Sequence, residues 1–394
     1  MSEGYVKKLL PWALAAASVA SPVWGQRKQI SINAETPHGA VLQKIGQEGD
    51  AAKKLAHMEE FASKFGTDAK LHDELLWVYS QKQDLHVKAQ EWDKAIEAGT
   101  KAVAIDPEYL EVAVAALKAA EAKKEMAQVK SWAGKTSEIA RRSVATPKRG
   151  EEEADDAKAR IDYAKQVATY ADYALFNAAI QGGSPAVTIE MAEALKAQSP
   201  DGEYWPQVAP GYVLALNQQG QAAKAVGVAE ELLGKDATND DLLLLVGNHY
   251  FGLQPASKAN QDKVLLYTDK AVAAWGTRQK PAAMAEVDWE KKKAGSLGYS
   301  LWMNGMTQAA LNKLPESDKV LRQALPMLTN DQLKAGALFN LGLANFKMGE
   351  AAKNKAQLTD AANFSRLCAA IKSPYQAQAA ANLKGIQAKL AGAK

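Results

Sequence analysis

The sequence predicts an all-α chain built as an array of antiparallel helix pairs, and three observations carry that prediction. Alanine is abundant, β-branched runs are scarce, and no segment alternates with period two for long. The stretch from Ala89 to Pro107, AQEWDKAIEAGTKAVAIDP, reads as one amphipathic helix with Ala95, Gly99 and Ala102 along one stripe. Its spacing then returns. Ala362, Ala369 and Pro374 repeat the seven-then-five offsets of Ala95, Ala102 and Pro107, and Ala225, Leu232 and Ala237 repeat them without the proline. Small residues in such slots let a second helix approach closely, while a proline stops one helix and opens the next at its first turn. Units that recur at fixed offsets bury their apolar faces by stacking on one another.

Taken in order, the chain opens with Lys7-Lys8, the apolar run LLPWALAAASVA and the small-residue exit SPVWGQ. That order is a signal peptide over residues 1–25, cleaved after Gly25 with Ala20 as the fallback site, because the apolar run is too short to span a bilayer. Residues 26–49 are polar and read as a flexible lead-in. An N-terminal array is expected over 50–146. Asp50 caps a helix over 51–65, a second covers 69–81, the 89–107 helix packs back on it, and Pro107 starts another reaching Lys124. A helix over 126–145 ends in Arg141-Arg142, as suits a helix C-terminus. The run TPKRGEEEADD places a charged linker or loop at 147–156.

A C-terminal array with a capping helix is expected over 157–394. A long helix, 157–181, carries Tyr163, Tyr170 and Tyr173, and Gly182-Gly183-Ser184-Pro185 turns into a helix over 186–198. Helices at 212–218 and 221–234 flank Gly220. DLLLLVGNHYFG pairs with 259–275, and Pro281 begins a longer helix through Trp289 to Trp302. SDKVLRQALPML and LKAGALFNLGLANFKMG form the next hairpin, the last unit closes at Pro374, and YQAQAAANLKGIQAKL supplies the cap.

These units resemble the tetratricopeptide repeat, in which each unit is two antiparallel helices and the second closes on a proline. Val246-Gly247 with Tyr250 matches that family's apolar-Gly-x-x-Tyr element, and Leu341-Gly342 followed by Gly349 matches its apolar-Gly and turn glycine. Asn345 departs from the expected tyrosine, and an insertion around KQDLHVK separates 75–79 from Trp92. About three recognisable units and three or four degenerate ones spread over most of the chain. The resemblance, to exported bacterial members, implies a right-handed superhelical α-solenoid whose first helices line a concave surface holding a protein or peptide.

Chemistry-bearing patterns are scarce. The five histidines, His38, His57, His72, His86 and His249, form no i,i+4 pair, and with Cys368 the single cysteine no zinc spacing exists. Cys368 sits in NFSRLCAAIK among apolar neighbours and reads as buried. No nucleophile elbow, phosphate loop or dinucleotide fingerprint appears, so neither a catalytic residue nor a metal or cofactor is assigned. With 48 basic and 45 acidic residues the net charge of +3 gives no argument for nucleic acid. No stable membrane span is expected after signal removal, and the lack of a cysteine after the apolar run argues against lipidation.

The function expected is thus a non-enzymatic, exported scaffold, periplasmic or secreted, binding a protein or peptide. A periplasmic small-ligand or carbohydrate-binding helical-repeat protein is the alternative. A hydrolase using the tyrosine-rich helix is weaker still, since no nucleophile and base can be named. Phe251 and Phe346 each lie four residues after the glycine of their unit, Gly247 and Gly342. Four residues is about 40° past a full turn, so each ring falls beside the packing face. Core packing and a groove lined by Phe251, Phe346, Asn248 and Lys347 remain equally open. Seam filling is expected for Trp77, Trp92, Trp132, Trp205, Trp275, Trp289 and Trp302, with an aromatic-lined ligand groove as the lesser alternative.

Overall fold

The computed structural model describes residues 30–392, so the segment read as a signal peptide lies outside the described residues. Helices account for nearly all the regular structure among those residues, and no strand occurs there. The chain divides into two compact units at Gly220–Gln221.

The first unit runs α1 (Pro37–Gln47), α2 (Ala51–Phe65), α3 (His72–Lys88), α4 (Trp92–Ile105), α5 (Leu110–Lys123), α6 (Met126–Ala145), α7 (Ala154–Gln181), α8 (Pro185–Gln198) and α9 (Trp205–Gln218). The second holds α10 (Ala222–Lys235), α11 (Asp240–Gly252), α12 (Lys258–Thr277), α13 (Glu286–Lys293), α14 (Tyr299–Ala310), α15 (Leu314–Ala324), α16 (Asp331–Ala352), α17 (Lys355–Ala369) and α18 (Gln376–Gly392). Within each unit a helix packs on its successor, and alternate helices also touch: α3, α5, α7 and α9 in one, α14, α16 and α18 in the other. Neighbours in sequence that stack two deep make each unit a tetratricopeptide-like solenoid of helix pairs.

One turn recurs inside the pairs. Gln90, Lys124, Gly183, Asn312 and Lys353, each standing between the two helices of a pair, take positive φ of 50–71°. Twelve residues after each stands a buried residue: Ala102, Thr136, Leu195, Ala324 and Ser365. Five residues after four of them stand Ala95, Val129, Ser317 and Leu358, also buried. The left-handed residue reverses the chain and fixes the angle at which the second helix lands. This register corrects one spacing: Ala362 occupies the place of Gly99, and Leu358 that of Ala95, so the C-terminal copy is displaced by one helical turn. Gly305 and Gly342 are the close-approach points, since an added Cβ would lie 2.6 Å from Leu321 and 2.9 Å from the Ser365 hydroxyl.

The structure also departs from the sequence elsewhere. In place of a flexible lead-in, Thr36 caps α1 at the Gly39 amide, Pro37 opens it, and Val41, Leu42 and Ile45 are buried against Met58 and Phe61. The 147–156 stretch lies inside the first unit, where Arg160 binds it: its guanidinium donates to Glu152 (2.9 Å), the Ser143 carbonyl (2.7 Å) and the Thr146 carbonyl (2.9 Å). Pro281 opens no helix. Helix α13 begins at Glu286, and one π-turn over Ala294–Gly298 joins it to α14. The hairpins pair α14 with α15 and α16 with α17, Pro326 falling in a 3₁₀ turn between them.

Candidate functional site

Two first helices of the second unit's pairs carry the four groove residues named from sequence, Asn248 and Phe251 on α11 and Phe346 and Lys347 on α16, and α14 packs against both. Helix α11 is held from behind by Tyr250. Its hydroxyl donates to Glu230 on α10 (3.1 Å), which also accepts from Lys263 (2.9 Å) and Tyr267 (2.9 Å) on α12. Burial pushes the Glu230 carboxyl up, but these three donors outweigh it and hold it below the usual range. Asn345 fills the equivalent place on α16. It is buried and donates to Asp318 on α15 (2.5 Å) while accepting from Arg322 (3.2 Å). A tyrosine–carboxylate–lysine set and an asparagine–carboxylate–arginine set thus do one job, which explains the departure at Asn345.

With Tyr250 and Asn345 turned into those networks, the residues beside them face the next first helix. Asn248 is exposed, and its side-chain carbonyl accepts a 2.7 Å hydrogen bond from the Tyr299 hydroxyl of α14. Phe251 is half-buried and meets Trp302 edge-on at 5.3 Å. Tyr299 and Trp302, one turn apart, stack at 5.5 Å, and burial raises the Tyr299 hydroxyl pKa. The Trp302 indole N–H donates to the Leu333 carbonyl of α16 (3.0 Å), which satisfies the ring's polar edge and leaves its faces for apolar contact.

The surface continues along α16. Gly336 lies against Trp302, Met306 and Tyr375, and Asn340 donates to Met306 Sδ (3.3 Å) and the Gly336 carbonyl (2.9 Å). Phe339 stacks on Tyr375 at 5.0 Å. Phe346 is half-buried beneath Lys389 of α18, whose ammonium stands 5.1 Å from the ring and pairs with Glu350, while Lys347 is exposed. The matching positions of Phe251 and Phe346 have one physical meaning: each ring lies in the seam with the following helix, α14 or α18. Asn248 and Phe251 meet in one cluster, and Phe346 and Lys347 lie further along α16.

Sequence reasoning missed Tyr299, Phe339 and Asn340 and expected Trp302 to fill a seam. The signal was present as Tyr299, Trp302 and Met306 at i, i+3 and i+7, hidden because the helix was drawn from Pro281. Of the other tryptophans, Trp132, Trp205, Trp275 and Trp289 are buried as seam fillers, while Trp302 is half-buried on this face. Cys368 is fully buried, donates to the Ala335 carbonyl at 3.3 Å, and is pushed up to about 11 by burial. No group of three or more His, Cys, Asp or Glu among the described residues is placed to hold a metal, and no helix there is long and apolar enough to cross a membrane.

No family model matches the chain, and no curated protein matches it. Solved structures that align with it include the TPR domain of P58(IPK), at 11% identity over 90% of this chain and 97% of that one, TM-score 0.25. Yeast Tom70 aligns at 12% identity over 91% and 97%, TM-score 0.22. The human IFIT1 dimer with m7Gppp-AAAA aligns at 11% identity over 97% and 87%, TM-score 0.24. These alignments span the chains without superposing them closely. The architecture rests on the helix pairing.

Proposed function

We propose that this chain is an exported scaffold that holds a protein or peptide partner, without catalysis of its own, on the concave face formed by first helices α11, α14 and α16. One observation carries the reading: half-buried aromatic side chains line these helices, Phe251, Tyr299 and Trp302 where α11 meets α14 and Phe339 and Phe346 further along α16, with Asn248, Asn340 and Lys347 beside them. Recognition surfaces are built from aromatic anchors of this kind with a few polar partners around them. Export is supported by Lys7-Lys8, the short apolar run and Val23-x-Gly25 ahead of Gln26.

The test uses two exposed positions, Asn248→Ala and Lys347→Glu, in the mature chain beginning at Gln26. Surface changes of this kind usually stay within about ±0.5 kcal/mol in stability. A partner captured from envelope extract is titrated against both variants. Binding weakened about tenfold or more, about 1.4 kcal/mol, with an unchanged melting midpoint supports the face. Unchanged binding in both variants and in Trp302→Ala contradicts it.

A further inference from the structure

Charge is spread unevenly over the helices of the second unit. No Asp, Glu, Lys or Arg occurs over 242–252 in α11, 299–310 in α14 or 335–346 in α16, in a chain of which 24% is charged. The charged residues of these three helices stand in first turns, at Asp240, Asp241, Asp331 and Lys334, or late in α16 at Lys347 and Glu350. Burial is not the cause. The second helices α12, α15 and α17 also pack on both neighbours in their unit, yet they carry charges midway, at Lys263 and Asp269, Asp318 and Arg322, and Asp360 and Arg366. In the uncharged runs Asn248 is exposed and Phe251, Tyr299, Trp302, Phe339 and Asn340 are half-buried, so the positions that reach solvent lack charge as well. One positive charge borders them. Lys347 is exposed and has no ion-pair partner among the described residues, whereas Glu350 pairs with Lys389.

Two side-chain amides lie among the rings, and they are turned in opposite senses. The Asn248 carbonyl accepts from the Tyr299 hydroxyl at 2.7 Å, and its amide nitrogen has no partner among the described residues. The Asn340 nitrogen donates to the Gly336 carbonyl and to Met306 Sδ, and its oxygen has no partner there. The face thus offers one neutral donor and one neutral acceptor. Main-chain peptide groups are their complement, since each brings one N–H and one C=O, and only a segment outside helix or sheet carries them unpaired. A charged side chain laid on the same rings would lose its water and meet no counter-charge.

We infer that the segment held on this face is an extended, uncharged stretch of a partner polypeptide, with a carboxylate just beyond one end that pairs with Lys347. Its apolar side chains lie on Phe251, Trp302 and Phe339, and its main chain accepts from Asn248 and donates to Asn340. This rests on the partner-face reading above and names the chemistry of what that face takes.

The probes are synthetic peptides, acetylated and amidated, in which Leu alternates with Thr or Asn. Each has about 12 residues, which extended at roughly 3.3 Å per residue cross three helices spaced at about 10 Å. Calorimetry with the whole chain should show saturable binding of the neutral peptide, and two central Glu or Lys residues should weaken it about tenfold or more. Asp at one end should strengthen binding, and Lys347→Gln should erase that gain while leaving the neutral peptide's affinity unchanged. Asn248→Asp keeps the acceptor for Tyr299 but replaces the donor with a charge, so it should weaken the neutral peptide. Parent-like affinity for the centrally charged peptides, tighter binding of the central-Lys peptide than of the neutral one, or binding of a single-stranded oligouridylate in place of any peptide overturns the inference. If no peptide binds while a captured partner still weakens on Asn248→Ala and Lys347→Glu, the partner face stands and the uncharged segment is refused.

Discussion

Ala95 and Ala102 have no free surface at all, and an added Cβ on Gly99 between them would lie 2.4 Å from the Gln83 amide. Ala95→Leu or Ala102→Leu therefore overpacks the contact between α3 and α4. Each is expected to cost roughly 1–3 kcal/mol, read as a lower denaturation midpoint with an unchanged slope. At Cys368, burial and a thiol raised to about 11 predict that a thiol reagent at pH 8 leaves the native chain unmodified and labels it on unfolding. Both outcomes were legible from small residues at helical spacing. The residues that reverse the chain were not, because Gln90, Lys124, Asn312 and Lys353 reach positive φ without being glycine. The same blindness moved the last copy by a turn. Alanine is common enough here that Ala362 fitted the pattern while Leu358 and Ser365 held the contact.

At the scale of elements, helices with strong caps or turn signals were drawn well and their junctions poorly. Helix α1 was missed although Thr36-Pro37 is a start signal, because eleven residues with two glycines look polar until their apolar positions find Met58 and Phe61. The charged run after α6 looked like a free linker because its hydrogen-bond partner, Arg160, lies beyond it in sequence. That contact makes a prediction. Arg160→Lys keeps the charge but loses the forked donors that reach Glu152 and two carbonyls, so limited trypsin digestion should cut faster at Lys148 and Arg149. Cleavage at the parent's rate would mean that the loop is held by something else.

For the molecule as a whole, the sequence conveyed a solenoid of pairs but placed its division at 147–156, where composition changes most. The contacts divide at Gly220–Gln221 instead, a site with no compositional mark beyond one glycine. Residues 26–220 and 221–394 expressed apart should each melt cooperatively with helical circular dichroism, because most stabilising contacts in a repeat array lie between neighbours. The proposed partner face was only half legible. Asn248, Phe251, Phe346 and Lys347 could be named from two matching glycines, but Tyr299 and Trp302 join them only through packing between successive first helices. The central claim is that this face binds, and amide hydrogen exchange of the whole chain with and without captured partner tests it most directly. Slower exchange confined to 240–252, 299–310 and 331–352, with α12, α15 and α17 unchanged, is the predicted result. Protection falling on those second helices, or on none of the second unit, would contradict it.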